Sequence, residues 1–192
     1  MTWGLHIKRV NDFAFYNGAF SDFEIEQIIE SSEKREKIKA EVHSDKKGVL
    51  DESIRQTIIQ WIPISHNNEW IYRKITDLVN GINAEWFNFD LLTIEELQFS
   101  IYNVGGFYGK HVDHFPSSPG NPRKLSFVVQ LTDPQEYEGG STVLYTSEKA
   151  HVMTKQKGSI TFFPSYILHE VEPITAGTRI ALVGWVSGPP FK

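Results

Sequence analysis

The sequence predicts an α+β protein, a β-sandwich or jelly roll with helices laid on one outer face. Three observations carry this reading. From Leu97 to the end, short runs of strand-type residues recur, divided by turn clusters such as Gly139-Gly140 and Thr175-Ala176-Gly177-Thr178. Before Leu97, two stretches space their apolar residues at helical intervals. Aromatic residues make up 13% of the chain, which suits a sheet-rich core or an aromatic-lined pocket. Many strands after a mostly helical first half is the order expected when helices cover a sheet rather than alternate with it.

At 192 residues the expectation is one domain over 1–192, with 1–96 as a support region and 97–192 as the β core. The chain has no cysteine, which excludes disulfides, zinc fingers and iron–sulfur clusters and favours a reducing cytoplasm. Its net charge is −5 with scattered basic residues, so no phosphate-binding footprint is visible and no nucleic-acid partner is expected. The first residues lack a signal peptide's basic start and apolar run. No apolar run approaches the ~20 residues of a membrane span, so a soluble cytoplasmic protein with no membrane partner is the expectation.

In chain order, residues 3–16 alternate loosely and predict one or two strands. Ser21-Asp22-Phe23-Glu24 has the form of a capping box, and Phe23, Ile25, Ile28 and Ile29 continue it as a helix. The charged run Glu33 to Lys39 is expected as that helix's solvated end, and 43–53 as a polar connection. Ile54 to Ile62 predicts a strand stopped by Pro63. A second helix is expected from Asn68 to Ala84, with Ile71, Ile75, Leu78, Val79 and Ile82 on one face. Strands then follow at 97–104, 108–114, 125–131, 141–145, 159–163 and 179–186.

The chemistry centres on the stretch from Tyr102 to His114. In a strand, residues two apart share a face, so His111 and Asp113 would present an imidazole and a carboxylate to one cavity. A third ligand must come from elsewhere. Of the seven histidines, His169 follows the 159–163 strand, which in a jelly roll can lie beside the His-x-Asp strand. Two histidines and a carboxylate form the facial triad typical of non-haem Fe(II) oxygenases. Ten residues on, Arg179 opens an apolar strand, where an unpaired guanidinium is costly and its fork matches a carboxylate. His114 and His151 read as bystanders. The loop Pro116 to Pro122 follows the metal strand and is either a lid or a plain connection.

From Leu97 to the end, the chain resembles the 2-oxoglutarate/Fe(II)-dependent dioxygenases of the prolyl 4-hydroxylase type, including their short bacterial and viral forms. The resemblance rests on an ordered set: Tyr102, Tyr108-x-x-His111-x-Asp113, Arg123 before a strand, Tyr137-x-Gly139-Gly140, Gly158, Phe163-Pro164-Ser165, His169-x-Val171-x-Pro173, Gly177-x-Arg179 and Trp185. It implies a double-stranded β-helix core with supporting N-terminal helices. It also implies His111, Asp113 and His169 as Fe(II) ligands, and Arg179 with Tyr102 on the distal carboxylate of 2-oxoglutarate. Where some family members place a second tyrosine on the strand after Arg123, this chain has Gln130, an amide that could donate instead. Tyr108, Arg123 and Trp185 match substrate-side positions, though Tyr108 and Trp185 are equally readable as core aromatics.

The implied activity uses 2-oxoglutarate and O2, with ascorbate as an accessory reductant, to hydroxylate a prolyl residue of a peptide or protein. A free amino acid or small metabolite is the alternative substrate. A nucleic-acid demethylase fits less well, because no second arginine follows Arg179 closely. A non-catalytic jelly-roll binding module would have no need for His111, Asp113, His169 and Arg179 together.

Overall fold

The computed structural model describes residues 10–33, 35–40, 42–44, 47–49, 51–114, 121–146 and 149–191. The first half contributes β1 (Ala14–Tyr16), α1 (Asp22–Glu33), β2 (Ile38–Lys39), β3 (Val42–Ser44), β4 (Lys47–Val49), β5 (Arg55–Gln56) and β6 (Ile58–Ile62). Helix α2 (Glu69–Ile82) runs on into a π-helical stretch at Asn83–Phe87, followed by β7 (Thr93–Ile94). Then come β8 (Leu97–Tyr102), β9 (Phe107–His111), β10 (Arg123–Gln130), β11 (Tyr137–Gly139), β12 (Thr142–Thr146) and β13 (Lys149–Val152). The last four strands are β14 (Ile160–Pro164), β15 (Leu168–Val171), β16 (Ile174–Gly177) and β17 (Arg179–Ser187).

Two antiparallel sheets make a jelly-roll sandwich, the double-stranded β-helix that the sequence predicts. The major sheet has the order β1-β14-β10-β17-β8-β6-β2, with β7 paired to β17, and the minor sheet runs β13-β12-β15-β9-β5. Two ribbons, β11-β16 and β3-β4, complete the pairing among the described residues.

Strand alternation divides the major sheet into a helix face and a site face. On β10, Leu125, Phe127 and Val129 pack with Ile25 and Ile28 of α1 and with Ile71, Ile75 and Val79 of α2. The intervening Val128 packs instead with Phe163, Ala181, Leu144 and Met153 between the sheets. On β17, Leu182 and Val186 join the helix face. Gly184 sits between them, where a Cβ would meet the Phe127 ring at 2.2 Å. Both faces of β17 are therefore buried, so the strand reads as an unbroken apolar run.

The capping box forms as expected: the Ser21 N–H donates to Glu24 Oε2 at 2.8 Å, and the Glu24 N–H donates back to Ser21 Oγ at 3.3 Å. Asn68 does not cap α2. Its side chain accepts from the Ser65 N–H and donates to the Pro63 carbonyl, fixing the turn before the helix.

Several expectations change. The predicted 54–62 strand is two strands in two sheets: β5 pairs with β9, and β6 pairs with β8. The 33–39 run is not one solvated helix end. The helix stops at Glu33, and Ile38–Lys39 forms an edge strand on β6. The 43–53 connection contains part of the β3–β4 hairpin, although residues 45, 46 and 50 lie outside the described residues. Besides β2, β3 and β4, five strands, β7, β11, β13, β15 and β16, are not foreseen in the sequence, because each is only two to four residues long. Of the 3–16 stretch, β1 is present and residues 3–9 lie outside the described residues. Among the described residues, no helix is long and apolar enough to cross a membrane.

Candidate metal and co-substrate site

His111 ends β9, and Asp113 lies just beyond it on a bend. Strand alternation therefore does not align the pair. The Ser165 carbonyl does, by accepting from the N–H groups of both Asp113 and His114 at 2.9 Å. His169 is likewise not beside β9 by way of the 159–163 strand. The chain turns over at 165–167, leaves β14 in the major sheet and enters β15 in the minor sheet. There His169 pairs directly opposite His111.

One ligand atom from each of His111, Asp113 and His169 lies within 4.8 Å of the others. The two imidazole Nε2 atoms approach different oxygens of one carboxylate, at 3.6 Å for His111 to Oδ1 and 3.5 Å for His169 to Oδ2. Each ring is oriented from behind. His111 Nδ1 bonds the Gly109 carbonyl at 2.8 Å, and His169 Nδ1 bonds the Ile167 carbonyl at 2.9 Å. A carbonyl accepts only, so Nδ1 carries the proton and both Nε2 lone pairs face inward, the tautomer a metal needs.

Asp113 Oδ2 accepts from Ser126 Oγ at 2.7 Å, and Ser126 is linked to Ser165 Oγ at 2.9 Å. Burial alone would raise the Asp113 carboxyl, but the His169 and His111 charges and the Ser126 hydroxyl hold it below its ordinary value. Burial, followed by the His169 charge, pushes His111 from 6.5 down to about 3, so it remains a neutral ligand near neutral pH.

A register shift gives β9 one more residue than β15 between the pairs His111–His169 and Tyr108–Val171. This bulge brings residues three apart to one face, where regular pleating would oppose them. Tyr108 consequently stacks on His111, with ring centroids 3.5 Å apart and planes 14° apart.

At the other end of the same cavity, Arg179 is 1% exposed. Its Nε donates to Gln130 Oε1 at 3.2 Å and its Nη2 to Thr142 Oγ1 at 3.1 Å, while Nη1 has no partner. Tyr102, directly opposite on β8, holds its ring 5.3 Å from the guanidinium carbon. Gly140 has φ +61° and leaves room for Arg179, since a Cβ there would fall 2.2 Å from Ile174 Cδ1 and 3.3 Å from Arg179 Cδ. Gln130 is buried and engaged with Arg179.

A cavity of about 200 Å³ joins the triad to Arg179. At its mouth, Arg123 forms a two-pronged pair with Glu95, with Nη2 2.7 Å from Oε2, and lies 3.8 Å over the Trp185 ring. The Trp185 N–H is buried without a partner beside Asp113. All nine residues singled out in the sequence therefore gather at or behind one cavity. Four more were not singled out: Arg55, Glu95, Ser126 and Thr142. None of the four stands in a motif; only the pairing of distant strands brings them here. His114 bonds the Arg123 carbonyl, and His151 packs on Phe13, so both stand aside from the triad. Most of the Pro116–Pro122 loop, residues 116–120, lies outside the described residues.

Fold and site together define a double-stranded β-helix protein with a centre of two histidines and one carboxylate. Residues 97–187 match the model of the 2OG-Fe(II) oxygenase superfamily. It is 40% identical over 93 residues to a PKHD-type hydroxylase of Prochlorococcus marinus, covering 48% of this chain and 42% of that one. A PKHD-type hydroxylase of Gloeothece citriformis is 40% identical over 94 residues, covering 48% and 43%. The match thus spans less than half the length of these relatives.

The fold resembles a Pseudomonas putida prolyl-4-hydroxylase, with TM-score 0.70, 20% identity, and 93% and 94% of the two chains covered. It also resembles a Trichoplax adhaerens prolyl hydroxylase solved with a hypoxia inducible factor peptide fragment, with TM-score 0.75, 18% identity, and 93% and 84% covered.

The residues present fit the groups that the superfamily's description names. Two imidazoles with inward-facing Nε2 atoms and one carboxylate suit Fe(II) and leave coordination positions open. The buried, unpartnered Nη1 of Arg179 suits the far carboxylate of a dicarboxylic co-substrate.

Proposed function

We propose that the protein is an Fe(II)- and 2-oxoglutarate-dependent dioxygenase that hydroxylates a prolyl residue of a peptide or protein. One observation carries this reading: three inward-facing ligand atoms and an unpaired buried guanidinium share one cavity. The substrate class is supported by the PKHD-type hydroxylases among the relatives and by the prolyl hydroxylases among the structural neighbours, one of them solved with a peptide. The centre, when loaded, would supply oxidising power by splitting O2 between 2-oxoglutarate, which leaves as succinate and CO2, and a substrate C–H bond.

The chain's own residues do the rest. His111, Asp113 and His169 hold the metal, with Ser126 and the Gly109 and Ile167 carbonyls keeping their orientation. Arg179 takes the distal carboxylate with help from Tyr102, and Gln130 acts through Arg179 by gripping Nε. Phe163, Val128 and Val183 line the cavity and keep water from it. Tyr108, Arg123 and Trp185 orient the substrate at the mouth. Ascorbate would serve to return oxidised iron to Fe(II).

The test is incubation with Fe(II), 2-oxoglutarate and air, using end-blocked proline peptides and, separately, free proline. The expected result is succinate formation coupled to a one-oxygen mass gain on a peptide. A gain on free proline alone would move the assignment to a small-metabolite hydroxylase. Absence of succinate under every condition would return the protein to the binding-module reading.

A further inference from the structure

We infer that Arg55 is a substrate-binding residue that receives a carboxylate, so that the substrate carries an acidic group close to the carbon that is hydroxylated. This rests on the dioxygenase reading and names the substrate class for that site.

Strand β5 is two residues long, and its pairing with β9 sets Arg55 directly opposite Tyr108. Cross-strand partners share a face. The Arg55 guanidinium carbon accordingly lies 4.4 Å over the Tyr108 ring, and that ring is itself stacked on His111. The three side chains form a stack that ends at a metal ligand. Arg55 lines the cavity and is 8% exposed, and its Nε, fully out of solvent, has no hydrogen-bond partner.

The other cations of the cavity are accounted for. Glu95 neutralises Arg123 at 2.7 Å, and Glu52 neutralises Lys39 at 2.5 Å. Arg179 serves the co-substrate end, and the one carboxylate in the lining, Asp113, is a metal ligand. Among the described residues, no carboxylate lies within ion-pair distance of Arg55. A guanidinium removed from water without a counter-charge is costly. A flat guanidinium stacked on an aromatic face keeps its edge open, and that edge is the part that grips a carboxylate with two parallel hydrogen bonds. Arg55 thus brings an unsatisfied guanidinium to the lining of the cavity that holds the metal ligands. Two sources can supply the anion: an acidic side chain next to the target residue of a peptide, or the α-carboxylate of a free amino acid.

The experiment measures binding by calorimetry to protein loaded with Mn(II), as a non-turning-over metal, and 2-oxoglutarate. The probes are end-blocked proline peptides flanked by glutamate or by glutamine, together with L-proline and its amide. For wild type, the expected result is roughly tenfold or greater preference for the glutamate peptide at low salt, narrowing as salt rises. Arg55→Gln should bind both peptides within about twofold, and Arg55→Lys should restore part of the preference. Preference for L-proline over its amide, lost in Arg55→Gln, would support the inference with the α-carboxylate as the source.

The inference is overturned if wild type discriminates within neither pair, if the preference survives Arg55→Gln, or if Arg55→Gln weakens the rise in Tm caused by Mn(II) and 2-oxoglutarate. The last outcome would make Arg55 part of the metal or co-substrate scaffold. A wild-type protein whose Tm does not respond to Mn(II) and 2-oxoglutarate would instead sink the dioxygenase reading, and this inference with it.

Discussion

The two halves of the chain build one cavity by different means. Residues 97–187 bring the triad, Arg179 and the aromatic groups around them, in an order that a reader can follow along the chain. Residues 10–96 bring two helices, strands on both sheets, and the side chains Arg55 and Glu95, with no motif beyond the capping box of α1. The first half supplies no ligand atom to the triad but part of the cavity wall, with Lys39, Arg55 and Trp61 among its lining. A catalytic centre constrains residue identity at fixed spacing, whereas the walls of a mouth need only the right group at the right place, whichever strand delivers it.

The largest effect should come from the centre. His169→Ala should abolish metal binding and turnover, because β15 supplies the only ligand from that side of the triad; metal content and succinate formation measure this. Next is the dependence of one half on the other. We propose that 1–192 folds as a single unit, so a 97–192 fragment should fail to give a cooperative thermal transition. Without α1 and α2, the face of Phe127, Phe162 and Leu182 is left in water. A fragment that melts cooperatively and binds metal would separate the halves.

A smaller effect is expected at the co-substrate end. Arg179→Ala should keep metal yet raise the 2-oxoglutarate requirement by about 30-fold or more, the cost of losing one partner of a buried charged pair, ~2–5 kcal/mol. Metal content and the concentration dependence of succinate formation separate the two roles. On the helix side, Ile75→Ala should cost ~2–5 kcal/mol of stability with the co-substrate requirement unchanged, since Ile75 is fully buried against the face opposite the site. Denaturant unfolding read beside metal binding checks it.

The last effect is absent near neutral pH and appears only in acid. Folding lowers His111 from 6.5 to about 3, so between those values the unfolded chain binds a proton that the metal-free folded chain does not. More protons on the unfolded state means that stability falls as pH drops from about 6.5 toward 3. Asp113, also lowered on folding, adds a loss of the same sign at the acid end. Melting of chelator-treated protein across this range should show the fall, and His111→Gln should flatten it.

What the sequence revealed and what it hid follow from the same contrast. His111, Asp113, His169 and Arg179 were legible because their chemistry is rare in combination, and the structure gathers them. Strand pleating alone does not explain the His111–Asp113 alignment. Strand alternation predicts a shared face, but β9 ends at His111, and the Ser165 carbonyl makes the alignment. Gln130 was placed on the correct strand with an open role, and only its 3.2 Å bond to Arg179 gives it one. Arg55 was invisible because its place depends on a two-residue strand leaving the predicted 54–62 run for the other sheet. No periodicity spans so few residues.

The central claim is that one cavity holds both a metal and a dicarboxylic co-substrate. Anaerobic titration of the metal-free protein with Fe(II) and then 2-oxoglutarate tests it directly. The account predicts a weak visible charge-transfer absorption that needs both additions, is absent in His169→Ala, and demands far more 2-oxoglutarate in Arg179→Ala. Fe(II) binding with no absorption change at saturating 2-oxoglutarate would contradict it.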